Sequence, residues 1–320
     1  QDGRTIRLMA NVDFFDEIQT LRSSGAEGIG LLRTETLFLG KEYPPDEEYQ
    51  REVYAKILEA SPSREVVIRL FDVDANHLEG DYLHTKRSDL NPALGLRGIR
   101  FLVKNPSILR DQIRAILRSA CAGTVSVLVP MVSSVSQIRH VADLIAFEKD
   151  DLRAHGVDHA REVRLGAMIE VPSAALTAPI IAKEVDFLSI GTNDLVQYAL
   201  GVDRENLSVS DLYDPMHPAV LTLIHAIAKA GKEAGIPVGV CGEMASDPLY
   251  VPVLVGLGVD FLSTHPCLIG EVRSALQATS SAKASAWVEK LLLAGTPEET
   301  RKLLLEWAIP RPRPTSPKFS

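Results

Sequence analysis

Short apolar runs, each closed by polar or charged residues and followed by a helical pattern, recur almost from end to end of this chain. They are Ile6–Val12, Gly28–Arg33, Val66–Asp72, Val125–Val132, Val163–Val171, Phe187–Thr192, Val238–Gly242 and Phe261–Thr264. Runs that stay apolar instead of alternating with polar residues predict strands buried on both faces, as parallel strands are. The helical patterns between them include Phe14–Ser23, Ser107–Ala120, Val135–Ala154, Pro218–Ala234 and Pro248–Val255. Eight βα units in roughly 250 residues is the arithmetic of an α/β fold of the TIM (β/α)8 barrel type. An open doubly wound sheet is the alternative. The recurrence of polar residues at the ends of at least five runs, as if they faced one mouth, favours the barrel.

The barrel is expected to span residues 1–280. Asn76–Asn91, polar and irregular, interrupts the rhythm and predicts a long active-site loop. After Thr279-Ser280-Ser281 come two further helical patterns, so 281–309 is expected to be a C-terminal helical extension. The Pro- and Ser-rich tail, 310–320, is expected to be disordered. Hydrophobic residues make up 46% of the chain, ample for such a core. A net charge of −8 argues against nucleic acid as the main partner. No apolar stretch approaches a membrane span, and the N-terminus lacks a signal-peptide profile. Three cysteines without paired spacing fit a reducing cytosol, so a cytoplasmic location is expected. The chain begins at Gln1 without a Met and is expected to be a fragment of a longer protein.

Chemistry gathers where the runs stop. Ala167-Met168-Ile169-Glu170-Val171-Pro172 ends in Glu170, and Asp186–Ile190 leads to Gly191-Thr192-Asn193-Asp194. Two carboxylates on neighbouring strand ends can hold one hard divalent cation, which suggests Mg²⁺ and a phosphorylated or enolisable substrate. Both could instead serve as helix N-caps or first-turn acids. That reading suits Asp194 better than Glu170, whose apolar neighbours make an uncompensated carboxylate costly. Arg33 and Arg69 close or interrupt the second and third runs, Arg97 lies near the same mouth, and Arg204 follows Asn193-Asp194. Any single Arg is more simply a surface ion pair. Four of them beside a metal site favour anion binding, because a guanidinium fork matches phosphate and carboxylate geometry. Cys241, bracketed by Gly239 and Gly242, suggests close approach of backbone to ligand and a thiol able to act as an acid. Cys121 and Cys267 lack this setting and are expected to be packing residues.

Together GAEGIGLLRTE, GAMIEVPSAA, KEVDFLSIGTNDLVQYALGVDR, LYDPMHPAV and VGVCGEMASDP resemble the phosphoenolpyruvate-binding C-terminal domain of enzyme I, the phosphoenolpyruvate–protein phosphotransferase of the bacterial phosphotransferase system. Pyruvate phosphate dikinase and phosphoenolpyruvate synthase share that domain, but DQIRAILR (111–118) is closer to enzyme I. The resemblance covers about Gln1 to Leu276. It implies a TIM barrel that forms a homodimer and takes phosphoenolpyruvate to pyruvate with Mg²⁺ or Mn²⁺. By motif position, Arg33, Arg69, Asn193, Asp194 and Arg204 would contact phosphoenolpyruvate, with Arg97 close by. Glu170 and Asp194 would bind the metal, and Cys241 would protonate the enolate. The implied partners are an N-terminal phosphohistidine domain and the phosphocarrier protein HPr, in either the sugar-transport or the nitrogen-related branch.

Two stretches depart from the family's pattern. Asp72-Val73-Asp74-Ala75-Asn76-His77 stands where the family reads Asp-Ile-Gly-Gly-Asp-Lys, and Ser263-Thr264-His265 and Ile269-Gly270 stand where it favours Ser-Met and Ile-Pro. No histidine here lies in the family's Gly-x-Thr-Ser-His setting, so a phosphoryl acceptor would lie outside this sequence. A degenerate regulatory homologue is therefore the second reading, and the equivalent domain of a dikinase or synthase the third.

Overall fold

Most of the apolar runs form strands shorter than themselves, because the polar residues that close them leave the ladder for the mouth of a barrel. In the computed structural model, which describes residues 2–14, 17–41, 43–73 and 91–307, the strands are β1 (Arg7–Val12), β2 (Ile29–Leu32), β3 (Glu65–Arg69), β4 (Thr124–Val129), β5 (Arg164–Ile169), β6 (Phe187–Ile190), β7 (Val238–Val240) and β8 (Phe261–Thr264). Each pairs in parallel with the next, and β1 pairs with β8, so the sheet closes in the order β1 to β8. This is the expected TIM barrel, with helices around it.

Boundaries moved by a few residues. The predicted helix Phe14–Ser23 begins at Ile18 and ends at Ser24, and Pro248–Val255 becomes Val251–Leu257. The expected loop Asn76–Asn91 and the tail 310–320 fall, apart from Asn91, outside the described residues.

The core has two parts. One lies between the strands and the surrounding helices. The other fills the barrel: Leu31, Val67, Leu128, Met168, Phe187 and Cys241, with Phe261 packed against them. Side chains on one face of a strand recur every second residue. Two positions beyond Leu31, Val67 and Met168 therefore stand Arg33, Arg69 and Glu170. Two beyond Phe187 and Ser189 stand Ser189 and Gly191, and two beyond Gly239 stands Cys241. The inward stripe that packs the barrel continues upward into the polar residues of the mouth. Gly166 and Gly239 have another task lower down: a Cβ on either would overlap the ring of Phe187 or Phe261. Gly239 thus serves barrel packing, not approach to a ligand.

The C-terminal extension consists of the helices Ser281–Leu291 and Pro297–Trp307. Ser280 caps the first by accepting from Lys283 N. That helix lies so close to Val251–Leu257 that a Cβ on Gly256 would come 2.5 Å from Ala284 O. Trp287 and Trp307 stack with centroids 4.8 Å apart. Thr300 Oγ1 donates to Met216 O at 2.7 Å and Arg301 pairs with Asp214 at 2.9 Å, which ties the extension to the barrel. Among the described residues no helix is long and apolar enough to cross a membrane.

Candidate active site

A cavity of about 190 Å³ opens at the C-terminal ends of the strands. Arg33, Arg69, Arg97, Glu170, Asn193, Asp194, Arg204 and Cys241 all line it, so the structure brings together every side chain singled out in the sequence. Asp72, Leu31, Met168, Gly191 and Gly242 complete the wall.

One side is acidic. Asp72, Glu170 and Asp194, all buried, each offer one carboxylate oxygen, and these lie within 4.8 Å of one another. Glu170 is the first residue beyond β5, and its Oε1 accepts from Met131 N at 2.6 Å. Met131 presents that N–H because it adopts a left-handed conformation, φ 54°. Gly98, at φ 53°, lies against it: a Cβ there would come 2.8 Å from the Met131 Cβ and 3.0 Å from Asp72 Oδ1. Gly191 also allows a close approach, since a Cβ on it would meet Glu170 Oε2 at 2.5 Å. Burial, then the negative charges of Asp194 and Asp72, push the Glu170 carboxyl well above the usual carboxylate range. Burial also acts to raise Asp72, but the guanidiniums of Arg97 and Arg69 outweigh it and hold Asp72 low. Crowded carboxylates, one driven toward its proton, form an environment that a divalent cation would relieve. Three oxygen donors without sulfur or nitrogen suit a hard ion such as Mg²⁺ or Mn²⁺. Asp194 is in the first turn of the helix Thr192–Leu200, but the N-cap is Gly191, so the simple capping role does not apply.

The other side is basic. Arg97 grips Asp72 with two nitrogens, at 3.1 and 2.9 Å, and reaches Asp194 at 3.1 Å. Arg69 donates to Glu35 at 2.7 Å and lies 3.4 Å from Asp72. Arg33 pairs with Asp13 at 3.1 Å. Among the described residues the buried Nε atoms of Arg33 and Arg69 have no partner, which leaves two donors for an anion. Arg204 is exposed at the rim. The Asn193 amide is occupied by Glu243, donating to Oε1 at 2.8 Å and accepting from the backbone N–H at 2.7 Å.

Cys241 lies on the far wall. It follows β7, which is four strands around the ring from the β3 that carries Arg69. Ser189 Oγ donates to its sulfur at 3.3 Å, and its S–H is directed to Ile190 O at 3.6 Å. Burial pushes the thiol up, so it keeps its proton at neutral pH. Cys121 and Cys267, expected to be packing residues, are both exposed. Each sits in a one-turn 3₁₀ segment, Ala120–Ala122 or Pro266–Leu268.

The sequence reading missed Asp72 as a ligand candidate, although it closes the third apolar run as Glu170 closes the fifth. It also missed Glu35 and Asp13, the partners of Arg69 and Arg33. Glu35, two residues beyond Arg33, carried no periodic signal of its own.

Residues 1–281 match the sequence model of a family described as "PEP-utilising enzyme, PEP-binding domain". The chain belongs to that family. Over 306 residues this PEP-binding domain is 38% identical to the phosphoenolpyruvate-protein phosphotransferase of Staphylococcus carnosus (strain TM300), covering 96% of the domain's chain and 53% of the relative's. It is also 38% identical over 299 residues to the protein of that name from Bacillus subtilis (strain 168), covering 93% and 52%. The chain spans about half the length of the curated relatives it matches. A citrate lyase from Burkholderia xenovorans LB400 superposes with a TM-score of 0.55 at 16% identity, covering 96% of this chain and 92% of that one, a likeness of fold alone.

Proposed function

We propose that this domain binds phosphoenolpyruvate with Mg²⁺ or Mn²⁺ and, within a longer phosphotransferase, passes the phosphoryl group to a histidine on an N-terminal domain and releases pyruvate. The observation that carries this reading is that one cavity gathers guanidinium donors without a partner among the described residues, a carboxylate cluster and a protonated thiol. Arg33, Arg69, Arg97 and Arg204 would hold the phosphate and carboxylate of the substrate. A cation held by Glu170 and Asp194, with Asp72, would act as a Lewis acid and neutralise charge on the phosphoryl and enol oxygens. The bond from phosphorus to the enol oxygen breaks, and the phosphoryl group goes to the acceptor nitrogen. The enolate carbon takes the Cys241 proton to give pyruvate, and the thiolate regains a proton from water. Positioning and charge neutralisation supply most of what such a transfer requires. Asn193 would reach the substrate by exchanging its bonds to Glu243. The family resemblance supports a cytoplasmic homodimer that feeds the phosphocarrier protein HPr.

The test is calorimetric titration of phosphoenolpyruvate with Mg²⁺ present and after chelation. Binding is expected only with the metal. Equal affinity in both conditions, or none in either, overturns the assignment.

A further inference from the structure

The stretch Arg69–Asp72 carries one guanidinium and one carboxylate of the site, yet β3 ends at its first residue. Leu70 N still donates to Leu128 O of β4 at 2.9 Å, but what holds Arg69 O, Phe71 N and Asp72 N lies outside the strand ladder. We propose that Gln112 and Thr34 are positioning residues that fix Arg69–Asp72 through a buried polar relay, an inference that rests on the function proposed above.

Gln112 stands on the helix Pro106–Ser119, on the face that buries Leu109, Ile113 and Ile116. It is fully buried, and an apolar residue would be the ordinary choice there. Its amide is nonetheless satisfied. Oε1 accepts from Phe71 N at 3.0 Å, and Nε2 donates to Thr34 Oγ1 at 3.1 Å and to Tyr54 Oη at 3.2 Å. Thr34, also fully buried, donates onward to Arg69 O at 3.1 Å. One glutamine, directly and through one threonine, thus holds the backbone on both sides of Leu70. The neighbouring Glu35 completes the grip: the oxygen that receives Arg69 also accepts from Asp72 N at 3.2 Å. Away from the site the relay runs from Tyr54 to Gln50 Oε1 at 3.0 Å.

Buried polar networks of this kind add little net stability over apolar packing of the same volume, but they select one geometry. The geometry selected here sets where an anion-binding arginine and a metal-binding carboxylate stand relative to each other. Gln112 lies within DQIRAILR, a stretch whose sequence resembled enzyme I without suggesting a role.

The experiment compares Gln112→Met and Thr34→Val, which break the bonds to Arg69–Asp72, with Tyr54→Phe, which breaks only the outer part. Mn²⁺ binding is followed by electron paramagnetic resonance. Phosphoenolpyruvate binding is followed by calorimetry at saturating Mn²⁺, below each variant's melting temperature. Gln112→Met and Thr34→Val are expected to weaken both affinities by about tenfold or more, as loss of an outer-shell partner does. Tyr54→Phe should lower the melting temperature and leave both affinities as in the parent. Thr34→Ser, which keeps the hydroxyl, should retain them too. If Gln112→Met does not fold, the two Thr34 variants decide the matter. Folded variants with parental affinities overturn the proposal, as does a Tyr54→Phe variant that loses as much affinity as Gln112→Met. A parent protein that binds neither ligand overturns the function itself, a result distinguishable from binding that the variants leave unchanged.

Discussion

The two mouths of the barrel are built by opposite rules. At the N-terminal mouth Arg7 places two nitrogens on Glu65, at 3.3 and 2.6 Å, and lies 3.6 Å from Glu27. Glu27, Asp186 and Asp260 each accept from an amide at the start of a strand: Leu8, Leu165 and Val238. The Phe187 and Phe261 rings fill the interior beside Gly166 and Gly239. At the C-terminal mouth, Asn11, Asp13, Arg33, Glu35, Arg69 and Thr192 each keep a buried polar atom without a partner among the described residues, and three buried carboxylates crowd together. Natural structures satisfy most buried polar groups, so unsatisfied ones concentrated at one end mark where stability has been traded for a ligand. The N-terminal mouth is finished without a ligand, and the C-terminal mouth is not.

Substitutions at the two ends should separate binding from stability. The largest effect is expected for Glu170→Gln: roughly a 100-fold loss or more of metal-dependent phosphoenolpyruvate affinity, with the metal-free protein at least as stable as the parent. Calorimetry and thermal melts check both parts, and a collapse of the metal-free fold would break the contrast. Cys241→Ser comes next. In a full-length phosphotransferase it should spare phosphoenolpyruvate binding but slow pyruvate formation by about 100-fold, the usual scale of a lost general acid. Unchanged turnover would assign the proton to another group.

At the opposite end, Gly166→Ala forces a methyl group against the Phe187 ring. A stability loss of about 1–3 kcal/mol is expected, read from denaturant midpoints, with ligand affinity retained while the protein is folded. Lost affinity in a stable variant would show that the two ends are not independent.

The smallest effect is a pH dependence. Glu170 ionises near 4.5 in an unfolded chain but is pushed up to about 8 by burial and the adjacent carboxylates. The folded state therefore holds this proton more tightly. The contribution of Glu170 to metal-free stability is full below about 4.5 and is lost as pH rises toward 8, so stability should fall across that window. Asp72, held low, is already ionised in both states through that window and adds no slope. Saturating Mn²⁺ or Glu170→Gln should flatten the profile. A slope that survives both would belong to some other group.

Much of this was legible in the sequence because strand periodicity and function share one pattern. The inward stripe that made Leu31, Val67 and Met168 apolar also aimed Arg33, Arg69 and Glu170 into the mouth. Strand ends were overestimated where a side chain kept the period after the backbone had left the ladder, as at Glu170. Contacts between distant segments were harder to read. Gln112 sat among apolar residues at helical spacing, and only the fold shows that it meets Phe71 and Thr34. Gly239 and Gly242 looked alike in sequence, yet the first packs against Phe261 and the second lines the cavity.

The back-to-back pair Gly98 and Met131 bears on how this site can diverge. Position 98 meets three restrictions at once: a left-handed backbone, the Met131 Cβ at 2.8 Å and Asp72 Oδ1 at 3.0 Å. Even alanine, the smallest step from glycine, meets all three. Nor can Met131 readily relax to suit a larger neighbour, because its unusual backbone is what delivers an N–H to Glu170. The two positions form a mutational dead end beneath the carboxylates, so inherited variation at this mouth is channelled away from its floor.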